Sequence, residues 1–185
     1  VNVVSLYTLI TPTLMLIISI TQFSFPISIS KISAEEKYDN KSLLKNAYLI
    51  GLIINIILIL ILVLSSNFIA KALHNRSLAP AILSISVIIP FVCVSSVQRG
   101  FLHGKEDMLP ASITNITEEI IKILLIIFIL PITISSGNIT SVIFLILFNV
   151  ITETSNILFM QKAINKKYIN HSKGRINKNI IKIYN

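Results

Sequence analysis

The sequence predicts an all-α protein, a polytopic transmembrane bundle of about five spanning helices. Three observations lead there. Hydrophobic residues make up 54% of the chain and charged residues 13%, with a mean hydropathy of +0.82; a water-soluble domain carries about 25% charged residues to cover its surface. The apolar residues come in runs long enough to cross a ~30 Å hydrocarbon core, which takes about 20 helical residues. The net charge of +8 sits in the short connections and the tail rather than on one soluble face. Anionic lipid headgroups attract Lys and Arg in such positions, which argues against a nucleic-acid partner. A closed barrel also satisfies its backbone in lipid. Its strands would alternate polar and apolar, however, and Ile56 to Leu64 is one unbroken aliphatic run.

The bundle is expected over residues 1–164, with a basic tail or linker over 165–185. The first span, 3–30, is uncharged and holds Pro12 and Pro26, so bends or a broken end are expected there. Its Ser19, Thr21, Gln22, Ser24, Ser28 and Ser30 form a polar side, serving either helix–helix hydrogen bonds or a cavity wall. The second span, 47–70, is the cleanest. The third, 78–98, has Pro80 near its start and Pro90 near its middle. Arg99 at its end would snorkel to the headgroups, and Gly100 and Gly104 would permit the tight turn that follows. The fourth span, 110–134, opens on Pro110, which suits a first helical turn. The fifth is 138–161.

The basic residues set a direction. Lys31, Lys37, Lys41 and Lys45 lie between the first two spans, and Arg99 and Lys105 between the third and fourth. The tail carries Lys162, Lys166, Lys167, Lys173, Arg175, Lys178 and Lys182, whereas the opposite side has only Lys71 and Arg76. The excess of Lys and Arg in cytoplasmic loops then places the lysine-rich links and the tail inside, and Val1 outside. Nothing near Val1 reads as a signal peptide, because a positive n-region and a small-residue cleavage site are both missing. A preceding helix would account for the outside start.

Ionisable groups within spans are costly and mark function by default. The fourth span carries Glu118, Glu119 and Lys122, and the fifth carries Glu153. Glu118 and Lys122 are four apart with the acid first, so they share a face and can pair. Lys122 lies about 18 Å along the helix from Pro110, near mid-bilayer. Glu118 and Glu153 would flank it, with Asn115, Asn149, Thr152, Thr154 and Asn156 at similar depths. Two readings stay open. In one the charges form an ionic cluster that fixes helix packing. In the other they line a water-filled cavity, where Lys122 attracts an anionic substrate and an acid balances it or carries a proton. Elsewhere the sequence offers no chemistry. Cys93 stands alone in an apolar run, and His74, His103 and His171 match no metal spacing. No phosphate-binding glycine loop, catalytic triad or nucleophile elbow is present, so neither an enzyme nor a cofactor is expected.

Several stretches carry a family likeness. Phe25-Pro26-Ile27-Ser28-Ile29-Ser30-Lys31 leading to Ala34-Glu35, Arg99-Gly100-Phe101-Leu102-His103-Gly104, Met108-Leu109-Pro110 with Glu118-Glu119-Ile120-Ile121-Lys122, and Thr152-Glu153 follow one another in order. Together they resemble the second to sixth helices of the stage V sporulation protein B-like polysaccharide-biosynthesis flippases of the multidrug/oligosaccharidyl-lipid/polysaccharide exporter superfamily. The chain departs in having Ser28 for Ala, Lys122 for Arg and Thr152 for Gly. The resemblance covers nearly all of residues 5–162. It implies most of the first lobe of a two-lobed transporter, with the first helix and the second lobe missing. It also implies a bacterial plasma-membrane flippase for an undecaprenyl-pyrophosphate-linked saccharide or peptidoglycan precursor, working by alternating access. Lys122 and then Arg99 would draw the pyrophosphate, and Glu118 and Glu153 would tune them. Membrane lipids and the second lobe are the other partners implied. A drug/cation antiporter of the same superfamily, and a non-transporting scaffold or gene remnant, are the alternatives.

Overall fold

The structure is a computed structural model and describes residues 3–22, 25–134 and 137–169. Six α-helices account for almost all of them, and there is no strand among the described residues. Helices α1 (Val3–Gln22) and α2 (Phe25–Ala34) share the first apolar stretch. Pro12 lies within α1 without ending it, whereas Pro26 is the second residue of α2, where its missing N–H costs no helical bond. Ser24, Ser135, Ser136, His171 and the tail's Lys173, Arg175, Lys178 and Lys182 lie outside the described residues.

Helix α3 (Asn40–Ala72) is capped by Asp39, whose carboxylate accepts from the Ser42 N–H at 3.2 Å. Its 33 residues span about 50 Å, more than a ~30 Å core requires. The surplus lies at the Asn40 end, where Lys41 and Lys45 keep the helix amid polar surroundings. Helix α4 (Ala79–Gly104) continues through Pro90, and α5 (Leu109–Ile134) takes Pro110 in its first turn. Helix α6 (Asn138–Ile164) follows Gly137, whose φ of 114° is open to glycine alone without strain. A π-helical turn, Asn165–Ile169, extends it.

Helix α4 is the centre of the bundle. It packs against α1, α2, α3 and α6, while α5 lies mainly against α6. Four stretches, 3–34, 40–72, 76–104 and 138–169, are long and apolar enough to cross a membrane. Helix α5 has the length, 26 residues, but carries three charges within its apolar run. The outward side chains of α3, among them Leu52, Ile53, Ile57, Leu60, Ile61 and Leu64, are exposed aliphatics, an arrangement stable only against hydrocarbon. The chain is a multi-pass, all-α membrane protein.

Two apolar clusters fill the interior. One joins α1, α3, α4 and α6 through Ile10, Leu62, Ile82, Ile85, Ile89 and Ile146. The other lies near the far end of α4, around Ile29, Leu44, Phe101, Leu102, Met160 and Ile164. Between them runs a polar waist of buried Asn55, Ser95, Ser96, Gln98, Thr152, Glu153 and Asn156.

Two expectations are corrected here. Gly100 and Gly104 do not make a turn; both lie inside α4, and the turn follows at 105–108 with Glu106 at φ 56°. They are spaced as small-x-x-x-small on one face. A Cβ on Gly100 would come within 2.8 Å of the Pro26 backbone, and one on Gly104 would strike the Ser30 carbonyl oxygen. The glycines exist to let α2 lie directly on α4, and the Ser33 hydroxyl seals the crossing by donating to the Phe101 carbonyl at 3.3 Å. Arg99, for its part, does not reach for headgroups. The helix runs five residues beyond it, and its guanidinium turns toward α5.

Candidate functional site

The polar waist opens toward α5 as a cluster of charges drawn from three helices. Glu118, three turns into α5, is its hub. Its Oε2 accepts from the Asn156 amide of α6 at 2.9 Å and faces Arg99 Nη2 of α4 at 3.4 Å. Its Oε1 stands 3.7 Å from Lys122 Nζ, the pairing that a four-residue helical separation allows. Lys122 also approaches Glu119 Oε1 at 3.6 Å. Glu153 on α6 is buried, 7% exposed, and faces Ser95, Asn156, Arg99 and Glu118. The acids therefore gather about Arg99 as much as about Lys122, rather than Glu118 and Glu153 flanking the lysine. Spacing along one helix discloses the Glu118–Lys122 pair; which residue α4 brings to it depends on the helix crossing.

The two shortest ion pairs lie outside the waist. Outside the waist, Lys105–Glu36 and Lys167–Asp107 close to 2.9 Å and 2.8 Å, the range of direct charge-assisted hydrogen bonds. Within it the contacts are 3.4 to 3.7 Å. These cations are neutralised but not fully coordinated. Several buried atoms here also find no hydrogen-bond partner among the described residues: Arg99 Nε, Glu153 Oε2, Asn156 Oδ1 and Gln98 Oε1. Buried polar groups are ordinarily satisfied, so an unfilled set at one level marks a place where water or a ligand is wanted. On α5, Asn115 and Glu119 are exposed and Lys122 is half-buried. A face with those groups does not rest against lipid tails.

Beside this cluster runs a chain of neutral polar side chains that hydropathy alone passes over. The Gln98 amide donates to Gln161 Oε1 at 2.8 Å, the Tyr48 hydroxyl donates to the same oxygen at 3.4 Å, and the Gln161 amide donates to Asn165 at 2.9 Å. It ties α3, α4 and α6 together. The one clue in the sequence is a glutamine, Gln98, within an apolar run.

Residues 2–183 match the family model described as Polysaccharide biosynthesis protein. The chain belongs to that family. Among curated relatives it is similar to Stage V sporulation protein B of Bacillus subtilis (strain 168), with 33% identity over 131 residues, 66% of this chain. The chain spans 25% of that relative's length. No solved structure matches. Pro26, Gly100 and Gly104, which carry the family likeness in the sequence, lie along one helix crossing, Gly100 against Pro26 and Gly104 against Ser30.

Proposed function

We propose that this chain forms part of the first lobe of a flippase that moves a lipid-linked saccharide across the bacterial plasma membrane by alternating access. A second lobe would face the α5 side, and the lysine-rich links and tail would lie in the cytoplasm. The observation that carries the reading is the pair of under-coordinated cations, Arg99 and Lys122, held on α4 and α5 within an apolar bundle. A pyrophosphate of the undecaprenyl type supplies several strong acceptors. It would displace Glu118 from the two cations and leave that carboxylate with the Asn156 amide, and binding of this kind near the midplane at a lobe interface is how many transporters hold their substrates. Family membership supports a transport role in polysaccharide assembly.

A second reading has its own support. The acids Glu118, Glu119 and Glu153 outnumber the cations, and Glu153 Oε2 finds no hydrogen-bond partner among the described residues, which suits a drug/cation antiporter. Titrating the purified chain with undecaprenyl pyrophosphate in detergent separates the two. The flippase reading expects binding that weakens about tenfold or more in Lys122→Ala, the scale of a charge-assisted hydrogen bond, and that survives Glu118→Ala. In the cation reading the chain does not take up this anionic lipid and instead binds a lipophilic cation such as tetraphenylphosphonium, with loss in Glu118→Ala and none in Lys122→Ala. Binding indifferent to both substitutions leaves the charges a packing device and overturns the proposal.

A further inference from the structure

Arg99 has two carboxylates close by and holds one of them. Through Nη2 it contacts Glu118 Oε2 of α5 at 3.4 Å, a long distance for a charge-assisted bond. Glu153 of α6 faces it as well and lies against Ser95. Ser95 stands one turn before Arg99 on the same face of α4. A long side chain on a helix leans over the turn that precedes it, so the guanidinium can swing to the level of Glu153 without any shift of its backbone. Yet Arg99 and Glu153 form no ion pair among the described residues.

The atoms that find no hydrogen-bond partner among the described residues include a complementary pair: Arg99 Nε, a donor, and Glu153 Oε2, an acceptor. Both are buried, and a buried group left unsatisfied carries its full desolvation cost. One movement satisfies both. Turned to the Glu153 carboxylate, Nε and a neighbouring Nη make the two-bond fork that guanidinium groups favour. Glu118 is not abandoned by the change, because it keeps the Asn156 amide at 2.9 Å and Lys122 at 3.7 Å. Each arrangement leaves every charge facing an opposite one, and neither requires a helix to move.

We propose that Arg99 is a two-position switch, alternating between Glu118 on α5 and Glu153 on α6. The positions differ in what they join. On Glu118 the arginine ties α5 to α4, two helices that otherwise touch little, since α5 lies mainly against α6. On Glu153 it stays within the α4–α6 seam, and α5 loses that tie. The switch is a property of the bundle and holds whatever the chain transports.

Arg76, Arg99 and Arg175 are the arginines of the chain, which permits a direct test. In an R76K, R175K background, labelling with ¹⁵N-arginine gives a single Nε–H signal, that of Arg99, in detergent micelles. Glu153→Leu removes the second acceptor and holds the arginine on Glu118, whereas Glu118→Gln weakens the first and sends it to Glu153. The parent signal is expected to lie between those of the two variants, with exchange that relaxation dispersion reads on the μs–ms scale. Each variant gives a sharper signal at its own limit. Loss of the exchange in Glu153→Leu is decisive by itself, because an arginine held on Glu118 alone would not respond to that substitution. A parent signal that coincides with that of Glu153→Leu and shows no exchange overturns the proposal. So does exchange that survives in Glu153→Leu, which would mean a motion in which Glu153 takes no part.

Discussion

Glu118 is shared by Arg99, Lys122 and Asn156, so its charge holds three helices. Glu118→Gln keeps the shape and removes the anion the two cations share, leaving Lys122 to Glu119 and Arg99 to Glu153. Breaking a fully buried pair costs about 3–5 kcal/mol and an exposed one below about 1 kcal/mol. For side chains 18–30% exposed the expected loss is about 1–3 kcal/mol, read as a lower thermal midpoint by circular dichroism in detergent. The additional substitution Lys122→Ala restores part of it. A different residue governs the far end of α6. Asp107, in the α4–α5 turn, accepts from Lys167 Nζ at 2.8 Å and from the Tyr168 hydroxyl at 3.0 Å. The Lys167 hydrogen bond, aided by Tyr168 and opposed by burial, holds the carboxyl below its ordinary range. A depressed carboxyl stabilises the fold at any pH above its unfolded value of about 3.9 and loses that contribution as pH falls through the lowered value. Amide exchange over 165–169 is therefore expected to stay slow and flat from neutral pH to about 5, and then to rise as the solution is acidified below about 4, after correction for intrinsic rates. Asp107→Asn should show the fast exchange at every pH.

At the scale of the element, the α2–α4 crossing depends on two absent side chains. Gly100→Ala puts a methyl group within 2.8 Å of the Pro26 backbone, and Gly104→Ala puts one against the Ser30 carbonyl. Backbone cannot swing aside as a side chain does. Each substitution is expected to cost about 1–3 kcal/mol, with Gly104→Ala the worse, and to release the Ser33–Phe101 hydrogen bond. Loss of a disulfide between cysteines introduced at Ser30 and His103 would show the helices parting; unchanged crosslinking would refute the account. This crossing also shows what the sequence conceals. A glycine pair near the end of an apolar run reads equally as a turn or as a packing face, and only the identity of the facing helix decides. The spans themselves were plain, because unbroken runs such as Ile56–Leu64 admit one environment. The Asn40 end of α3 was not. Its first turns are polar, so hydropathy places the helix start near 47, while the Asp39 cap and the good helix formers that follow place it at Asn40.

For the molecule as a whole, the lysine-rich connections make orientation testable. In a Cys93→Ser background, which removes the lone and buried thiol, Arg76→Cys is expected to react with an impermeant maleimide added to intact cells, and Lys41→Cys only after the membrane is opened. The reverse pattern would invert the bundle. Charge placement along the chain suffices for that expectation. The meeting of Arg99 with Glu118 was beyond it, since residues on α4 and α5 are brought together by how both helices sit around α6. The central position of α4 carries a consequence for biogenesis. This helix, with Ser95, Ser96, Gln98 and Arg99 on consecutive or neighbouring turns, is synthesised before α5 and α6 exist to cover those groups. Arg99, five residues from the end of α4, adds a cost smaller than the about 2.5–3.5 kcal/mol of an arginine at a helix centre. On leaving the ribosome α4 thus enters the bilayer with its polar groups uncovered near one end, and it depends on α1 and α3, or on the insertion machinery itself, to shelter them until its later neighbours arrive.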